Sequence, residues 1–474
     1  MNPDSRNIVV IGMGYVGIPC AALLADVDGF RVTGVQRRSV RSGWKIDALN
    51  AGQCPFEGDE PGLPELIHRV AVEKKTFRVT DDYSVCREAQ AVLIDVQTPV
   101  DADHVPRYAS LREVCAQAGR HLQPGTLVII ESTVAPGTTQ HVAQPILEEA
   151  SGLQAGQEFH LAFSYERVMP GKLLAYITDM PRVVGGIDEE STRRAVELYG
   201  HIVRAEITAS DCLTAEMAKV IENAYRDVNV AFANEMALAC ERMGVDVHDV
   251  RQLINARHDR HMHIPGAGVG GHCLPKDTYL LKYGVETYGG GNSNFEIRNP
   301  NFALIQLARQ INDGMPAHML GLVEEALAEA GQALQGARVA VLGVSYLEDA
   351  DDTRNTPAVP LIVGLQERGA EVVAHDPYVS AHEWRLAWPA EPGAPLTADL
   401  AAALSGADCA VLVTRHQAYR DLAAGNPDGS GLAWIKTQLG RPVLVDGRNV
   451  FERDACEEAG LVYRGVGKGR TAER

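Results

Sequence analysis

Apolar residues in the first half of the chain fall into short runs separated by polar or glycine-rich stretches. Runs of strand length lie at Asn7–Gly12, Arg31–Val35, Ala91–Val96, Thr126–Ile130 and Arg182–Gly185, with helical spacing between several of them, as at Ile18–Leu24. Strands alternating with helices predict βαβ units and a parallel sheet. The turn-rich stretch Cys54–Pro64 reads as a loop. From Ser210 to Met243 the period changes. No Gly or Pro interrupts, and Leu213, Met217, Val220, Ala224, Val228, Ala231 and Phe232 recur at three- and four-residue steps. This predicts an amphipathic helix roughly 50 Å long, capped by Ser210 or Asp211 and ended by Gly244. Such a helix between two α/β halves serves either as a core spine or as a dimer contact. Tyr288–Ser293 reads as a flexible loop. A second alternating series follows at Ala337–Val344, Glu371–His375, Asp408–Thr414 and Pro442–Asp446, and Gly467–Arg474 reads as a frayed end. The order is α/β, long helix, α/β.

Composition narrows the function. The 474 residues suggest about three domains. A formal net charge of −18 argues against a general nucleic-acid binder. A phosphate-bearing small molecule can still be held by helix ends and a few Arg or Lys. No apolar run reaches the ~18 residues of a membrane span. The start, MNPDSRNIVV, lacks a basic segment before an apolar one, so no leader and a cytoplasmic location are expected. The nine cysteines show neither CxxC nor zinc spacing, which predicts free thiols and no metal.

Gly12-Met-Gly14-Tyr15-Val16-Gly17 follows a strand and opens a helix, the context a dinucleotide fingerprint requires. The second strand then ends at Gln36, Arg37 and Arg38, where a carboxylate usually meets the ribose hydroxyls. Gln36 can donate to a ribose hydroxyl, or the arginines can accept a 2′-phosphate. NAD is the expected cofactor, with NADP the alternative.

The segment Gly266–Asp277 (GAGVGGHCLPKD) sets Cys273 among His272, Lys276 and Asp277. Nearby positive charge favours thiolate, the nucleophilic form, and Asp277 can act as a base or orient a water. Lys219 and Asn223, four residues apart on one helix face, can stabilise negative charge developing on a substrate oxygen. Glu131-Ser-Thr133 follows a strand end, where α/β proteins place ligand contacts. Glu166 is a second candidate base. Each of these residues alone is equally compatible with an ordinary structural role.

Taken together, GMGYVGIP at the start, ESTVAPGT at 131–138, ERVMPGK at 166–172, EMAKVIENAYRDVNVAFANE at 216–235, GVGGHCLPKD at 268–277, INDGMP at 311–316, DDTRNTPA at 351–358 and DGRNVF at 446–451 resemble the UDP-glucose/GDP-mannose dehydrogenase family over nearly the whole chain. ERVMPGK is similar to its N-acetylhexosamine branch. The resemblance implies two Rossmann-like domains joined by the long helix in a homodimer or larger homo-oligomer. The domains would be 1–207 for the dinucleotide, 208–330 for dimerisation and the cysteine loop, and 331–474 for the UDP-sugar. It also implies a four-electron oxidation of a sugar C6 alcohol to a carboxylate, through a thiohemiacetal and a thioester on Cys273. Lys219 and Asn223 would steady the oxyanion. Asp277 would move protons through a water, and Thr133 and Glu166 would serve hydrolysis. The cofactor would meet Gly12, Gly14, Tyr15, Val16, Gly17, Gln36, Arg37, Thr98 and Thr133. The sugar nucleotide would meet Glu166, Arg167, Lys219, Asn223, Gly270, Tyr346, Arg354 and Arg448, with Arg257 or Arg260 reaching a neighbouring subunit's site.

Three residues depart from the family pattern: Gln36, Tyr165 where a Pro commonly precedes the Glu, and Leu347 where a Lys commonly follows the aromatic at Tyr346. UDP-glucose is the alternative substrate, and a non-catalytic sensor of both nucleotides the alternative role. A short-chain epimerase or dehydratase needs a Tyr-x-x-x-Lys pair, and none of the 14 tyrosines has one.

Overall fold

The computed structural model describes residues 6–39, 42–56, 60–289, 301–388, 393–425 and 431–469. The chain divides into two compact units, Met1–Asn223 with Lys276–Pro300, and Ala224–Pro275 with Asn301–Arg474.

The first unit is built on eight strands: β1 (Arg6–Ile11), β2 (Phe30–Val35), β3 (Phe77–Thr80), β4 (Ala91–Ile94), β5 (Leu127–Ile130), β6 (His160–Phe163), β7 (Arg182–Gly186) and β8 (Ile207–Asp211). They pair in the order β3-β2-β1-β4-β5-β6-β7-β8. The central strands β4, β5 and β6 are buried at every position, as strands covered on both faces must be. Ile11 pairs with Ile94, Ile94 with Ile130 and Ile130 with Phe163, all in parallel register. The next residues, Gly12, Asp95, Glu131 and Ser164, therefore leave the sheet side by side at its C-terminal edge. The β7 strand corrects the expectation of a wholly parallel sheet, because it runs antiparallel to β6. That reversal brings its first residue, Arg182, to the edge where the parallel strands end.

The second unit carries a wholly parallel sheet of β9 (Arg338–Leu342), β10 (Glu371–His375), β11 (Leu396–Thr397), β12 (Cys409–Leu412), β13 (Val443–Asp446) and β14 (Val462–Gly465), in the order β11-β10-β9-β12-β13-β14. The polar loops after β9 and β13 carry Tyr346 and Arg448. Strands β3, β6, β8, β11 and β14 are not announced by the hydrophobic runs, being two to five residues long.

Four helices matter below: α1 (Gly17–Asp26), α2 (Cys212–Met243), α3 (Leu274–Tyr288) and α4 (Ala303–Glu329). Helix α2 has the expected bounds. Asp211 Oδ1 accepts the Thr214 N–H at 2.8 Å, and Gly244 follows its end with φ +72°. Its buried face is the expected one in part, with Val220, Ala224 and Ala231 buried. Leu213 and Phe232 are exposed, while Glu216, Lys219, Asp227 and Asn234 are buried, with Asn223 half-buried between them. Each of these polar groups finds a partner within its own unit. Glu216 accepts the N–H groups of Gly137 and Thr139. Asp227 meets Arg309 and Asn312, while Asn234 meets Asn312 and the Gly266 N–H.

Three loop expectations change. Pro64 lies inside a short helix, Leu63–His68. Tyr288 ends α3, and positions 290–293 of the expected flexible loop lie outside the described residues. Gly467 and Gly469 are tied down, donating to Glu241 and to the Val245 carbonyl, so this stretch is not frayed; positions 470–474 lie outside the described residues.

Candidate functional site

Gly12 has φ +107°, and a Cβ there would lie 1.9 Å from the Asp95 carbonyl oxygen; a Cβ on Gly17 would lie 2.0 Å from the Gly12 carbonyl oxygen. Both glycines are thus required by backbone packing. A Cβ at Gly14 meets nothing within 4 Å, which leaves the space over the α1 N-terminus that a pyrophosphate needs. The residues fit a dinucleotide. Val16 stands at the N-cap of α1 without a side-chain cap, and Tyr15 stacks on Phe56 at 4.6 Å. The Gln36 amide oxygen accepts the Met13 N–H at 3.0 Å and its amide nitrogen donates to Ser42 Oγ at 3.0 Å, so Gln36 braces the loop. Arg37 lies 3.9 Å from Glu113, and Arg38 lies 3.3 Å from Asp81. We expect Gly12→Ala to lose roughly 1–3 kcal/mol of stability and to weaken NADH binding. Thermal melting and a fluorescence titration check this, and unchanged values would contradict the packing.

Next to this loop the same sheet edge buries a charged cluster. Arg182 donates to Glu166, to Glu131 at 2.5 Å and to Ser164 Oγ at 2.8 Å, and its guanidinium carbon lies 3.4 Å from the centre of the Tyr199 ring. The Tyr199 hydroxyl donates to Glu131 at 2.5 Å. Glu131 was legible as a strand-end residue. Arg182 was missed as a site residue because nothing in the chain marks β7 as reversed, and Tyr199 because it ends a helix, Glu189–Tyr199, that carries no motif.

Lys219 on α2 donates to the Glu166 carbonyl oxygen at 2.7 Å, and its ammonium lies 5.2 Å from the centre of the Tyr165 ring. Tyr165 is buried, accepts from Arg167 at 2.9 Å, and is pushed up to about 12 chiefly by that burial. Arg167 in turn binds Glu222 on α2. Asn223 donates to Asp277 Oδ2 at 2.6 Å, and the Lys276 ammonium lies 2.8 Å from Asp277 Oδ1. The Lys276 charge, expected to favour a thiolate, is therefore engaged by Asp277. The Thr98 hydroxyl donates to the Thr133 carbonyl oxygen at 2.5 Å. The first unit thus brings Lys219 to Glu166 and Asn223 to Asp277, while Thr133 is held by Thr98.

In the second unit, Cys273 immediately precedes α3. All nine cysteines are among the described residues, and Cys273 alone is exposed. Burial pushes Cys86, Cys115 and Cys456 up to about 12. The cysteine loop is laid closely on the segment after β9. The Gly271 N–H donates to the Arg354 carbonyl at 2.8 Å, the Asn355 amide donates to the Gly271 carbonyl at 3.0 Å, and a Cβ on Gly270 would lie 2.6 Å from the Tyr346 Cβ. The Arg448 guanidinium donates to the Val413 carbonyl at 2.8 Å and to the Gly268 carbonyl at 3.4 Å. Tyr346, Arg354, Arg448 and the glycines therefore come together. Arg257 and Arg260 are exposed and both bind Asp259. Leu347 is half-buried, and its carbonyl accepts from Ser345. Among the described residues no group of three or more His, Cys, Asp or Glu could hold a metal, and no helix is long and apolar enough to cross a membrane.

A doubly wound sheet ending in an open glycine turn defines a dinucleotide-binding unit, and the comparisons agree. Residues 6–203 match the NAD binding domain of the UDP-glucose/GDP-mannose dehydrogenase family, 213–313 its central domain and 340–453 its UDP binding domain. The chain belongs to this family of oxidoreductases. A UDP-N-acetyl-D-mannosamine dehydrogenase of Pyrococcus horikoshii is 34% identical over 98% of this chain and 99% of its own. The crystal structure of an NDP-N-acetyl-D-galactosaminuronic acid dehydrogenase from Methanosarcina mazei is 41% identical, covering 98% of this chain and 96% of its own, with a TM-score of 0.83. A UDP-glucose dehydrogenase from Pyrobaculum islandicum is 26% identical over 98% and 99% of the two chains, with a TM-score of 0.81.

Proposed function

We propose that this chain oxidises the C6 alcohol of a UDP-N-acetylhexosamine to the uronate, with NAD as cofactor. The observation that carries the reading is Cys273, the one exposed thiol of nine, held on a glycine loop against Tyr346 and Arg354. Two NAD molecules, bound in turn, would each supply the acceptor for one hydride. Lys219 and Asn223 stabilise the developing oxyanion, and the Cys273 thiolate adds to the C6 aldehyde to give a thiohemiacetal. After the second hydride is lost the sugar is held as a thioester. Glu166 and Thr133 direct the water that cleaves it, and Asp277 relays the proton. Arg167, Tyr346, Arg354 and Arg448 hold the sugar nucleotide, and residues 331–474 form its domain. Residues 1–207 form the dinucleotide domain, with residues 208–330 between them. The carboxylates beside Arg37 and Arg38 disfavour a 2′-phosphate, which supports NAD over NADP. The same reading makes the chain a homodimer through α2, whose Ile221, Tyr225 and Phe232 are exposed on one face.

The names of the relatives and the ERVMPGK segment support the N-acetylated substrate. Absorbance assays with UDP-N-acetylglucosamine, UDP-N-acetylmannosamine, UDP-N-acetylgalactosamine and UDP-glucose test it. We expect two NADH per uronate from at least one N-acetylated sugar, at a kcat/KM above that for UDP-glucose. No turnover with any of the three overturns the substrate assignment.

A further inference from the structure

The cluster at the ends of β4 and β5 and the start of β7 holds more acid than base. Asp95, Glu131 and Glu166 converge there, and among the described residues Arg182 is the one cation bound by their side chains. Asp95 leaves β4 directly beneath the dinucleotide turn, where its Cβ lies 3.4 Å from the position a Cβ on Gly12 would take. The groups facing Glu131 are Tyr199 from its helix, Cys20 from α1 at 4.0 Å, Arg182 from β7 and Asp95 from β4. Tyr199 and Arg182 both bind Glu131 Oε1. Glu131 Oε2 and Asp95 Oδ2 are buried, and as carboxylates neither has a hydrogen-bond partner. Two adjoining buried acceptors are unstable as a pair of anions, and a single proton between them satisfies both. Burial and the Glu131 charge push the Asp95 carboxyl well up, in keeping with this.

We propose that Asp95 holds a proton that it shares with Glu131, and that the pair acts through Arg182 as positioning residues for Glu166. Glu131 fixes one arm of the Arg182 fork, and the other arm holds Glu166. A second full negative charge at Asp95 would draw the guanidinium away from Glu166. The proton therefore keeps the fork centred and the Glu166 carboxylate in place. This role rests on the reading that Glu166 directs the hydrolytic water.

Two measurements test it, and they fail separately. At about pH 8, where exposed carboxyls are ionised, infrared spectroscopy of the wild-type protein should show the carbonyl band of a protonated buried acid, and Asp95→Asn should lack it. No such band, or the same band in Asp95→Asn, overturns the shared proton whatever the enzyme's substrate. In transient kinetics, Asp95→Leu should keep the rapid NADH burst while steady-state uronate release falls roughly 10- to 100-fold. Asp95→Asn, whose amide can donate to Glu131, should restore release. A role confined to holding the fold would lower the burst and the release together. Wild-type release from Asp95→Leu, or no rescue by Asn, overturns the link to Glu166. If Asp95→Leu fails to fold, the comparison of wild type with Asp95→Asn still decides the protonation.

Discussion

Cys273→Ser is expected to stop uronate formation, lowering it roughly 10^3-fold or more, the scale at which loss of an activated nucleophile registers. A serine hydroxyl at this position lacks the thiolate needed to capture the aldehyde. Affinity for NADH and for UDP should stay within about twofold, since the groups that bind them are other side chains. Chromatographic assay of the acid and equilibrium titration of both nucleotides check the two halves. Mass spectrometry of the wild-type protein quenched during turnover should find an acyl adduct on the peptide containing Cys273. Wild-type acid yield from the serine variant, or an adduct on another residue, would remove the nucleophile from the mechanism. The exposure of this sulfur makes the experiment clean, because its replacement opens no cavity in either core.

Arg182→Met is expected to have the largest effect on stability. The side chain is 3% exposed and binds Glu131 and Glu166, which are themselves 0% and 7% exposed. Removing one partner of a buried ion pair leaves uncompensated charge and costs about 3–5 kcal/mol. The loss should depend on pH with a definite sign. Without the guanidinium, the buried carboxylates of Glu131 and Glu166 lose their cation, and burial then drives them to take up a proton. A carboxyl that holds its proton more tightly when folded favours the fold in acid and loses that contribution as pH rises above the usual carboxylate range. The gap between variant and wild type in urea unfolding should therefore be smaller near pH 5 than near pH 8. An equal gap at both values would mean that the cluster does not titrate with folding.

How much of this was legible follows from which residues announce themselves locally. The Gly12–Gly17 turn was readable because strand, turn and helix are contiguous and each glycine has its own steric reason. The cysteine loop was readable for the same cause. Helix α2 was readable in extent and in the burial of Val220, Ala224 and Ala231, but not in the polar groups that share its buried face. Its apolar positions mark a face that includes the exposed Leu213 and Phe232, while the buried face carries Glu216, Lys219, Asp227 and Asn234. Periodicity assumes that buried means apolar, and this helix buries polar groups whose partners lie tens of residues away. Arg182 was invisible as a site residue for a related reason. A strand's direction depends on its neighbour, and only the reversal against β6 places its first residue beside Glu131. Gln36 was read as able to donate to a ribose hydroxyl, and the structure adds contacts of its amide with Met13 and Ser42 that no local pattern announces.

The polar stripe of α2 bears on how this sequence can drift. Glu216 and Lys219 are satisfied by backbone atoms, which any residue but proline at 137 or 139, and any residue at 166, would supply. Asn223 with Asp277, Asp227 with Arg309, and Asn234 with Asn312 are instead matched side chain to side chain. A substitution at one member of such a couple strands the other in the interior. In an aligned set of homologues the Asp227–Arg309 and Asn234–Asn312 couples should therefore covary and position 216 should vary, if at all, independently of the residues it touches, while Lys219, Asn223 and Asp277 should be held fixed by the proposed reaction.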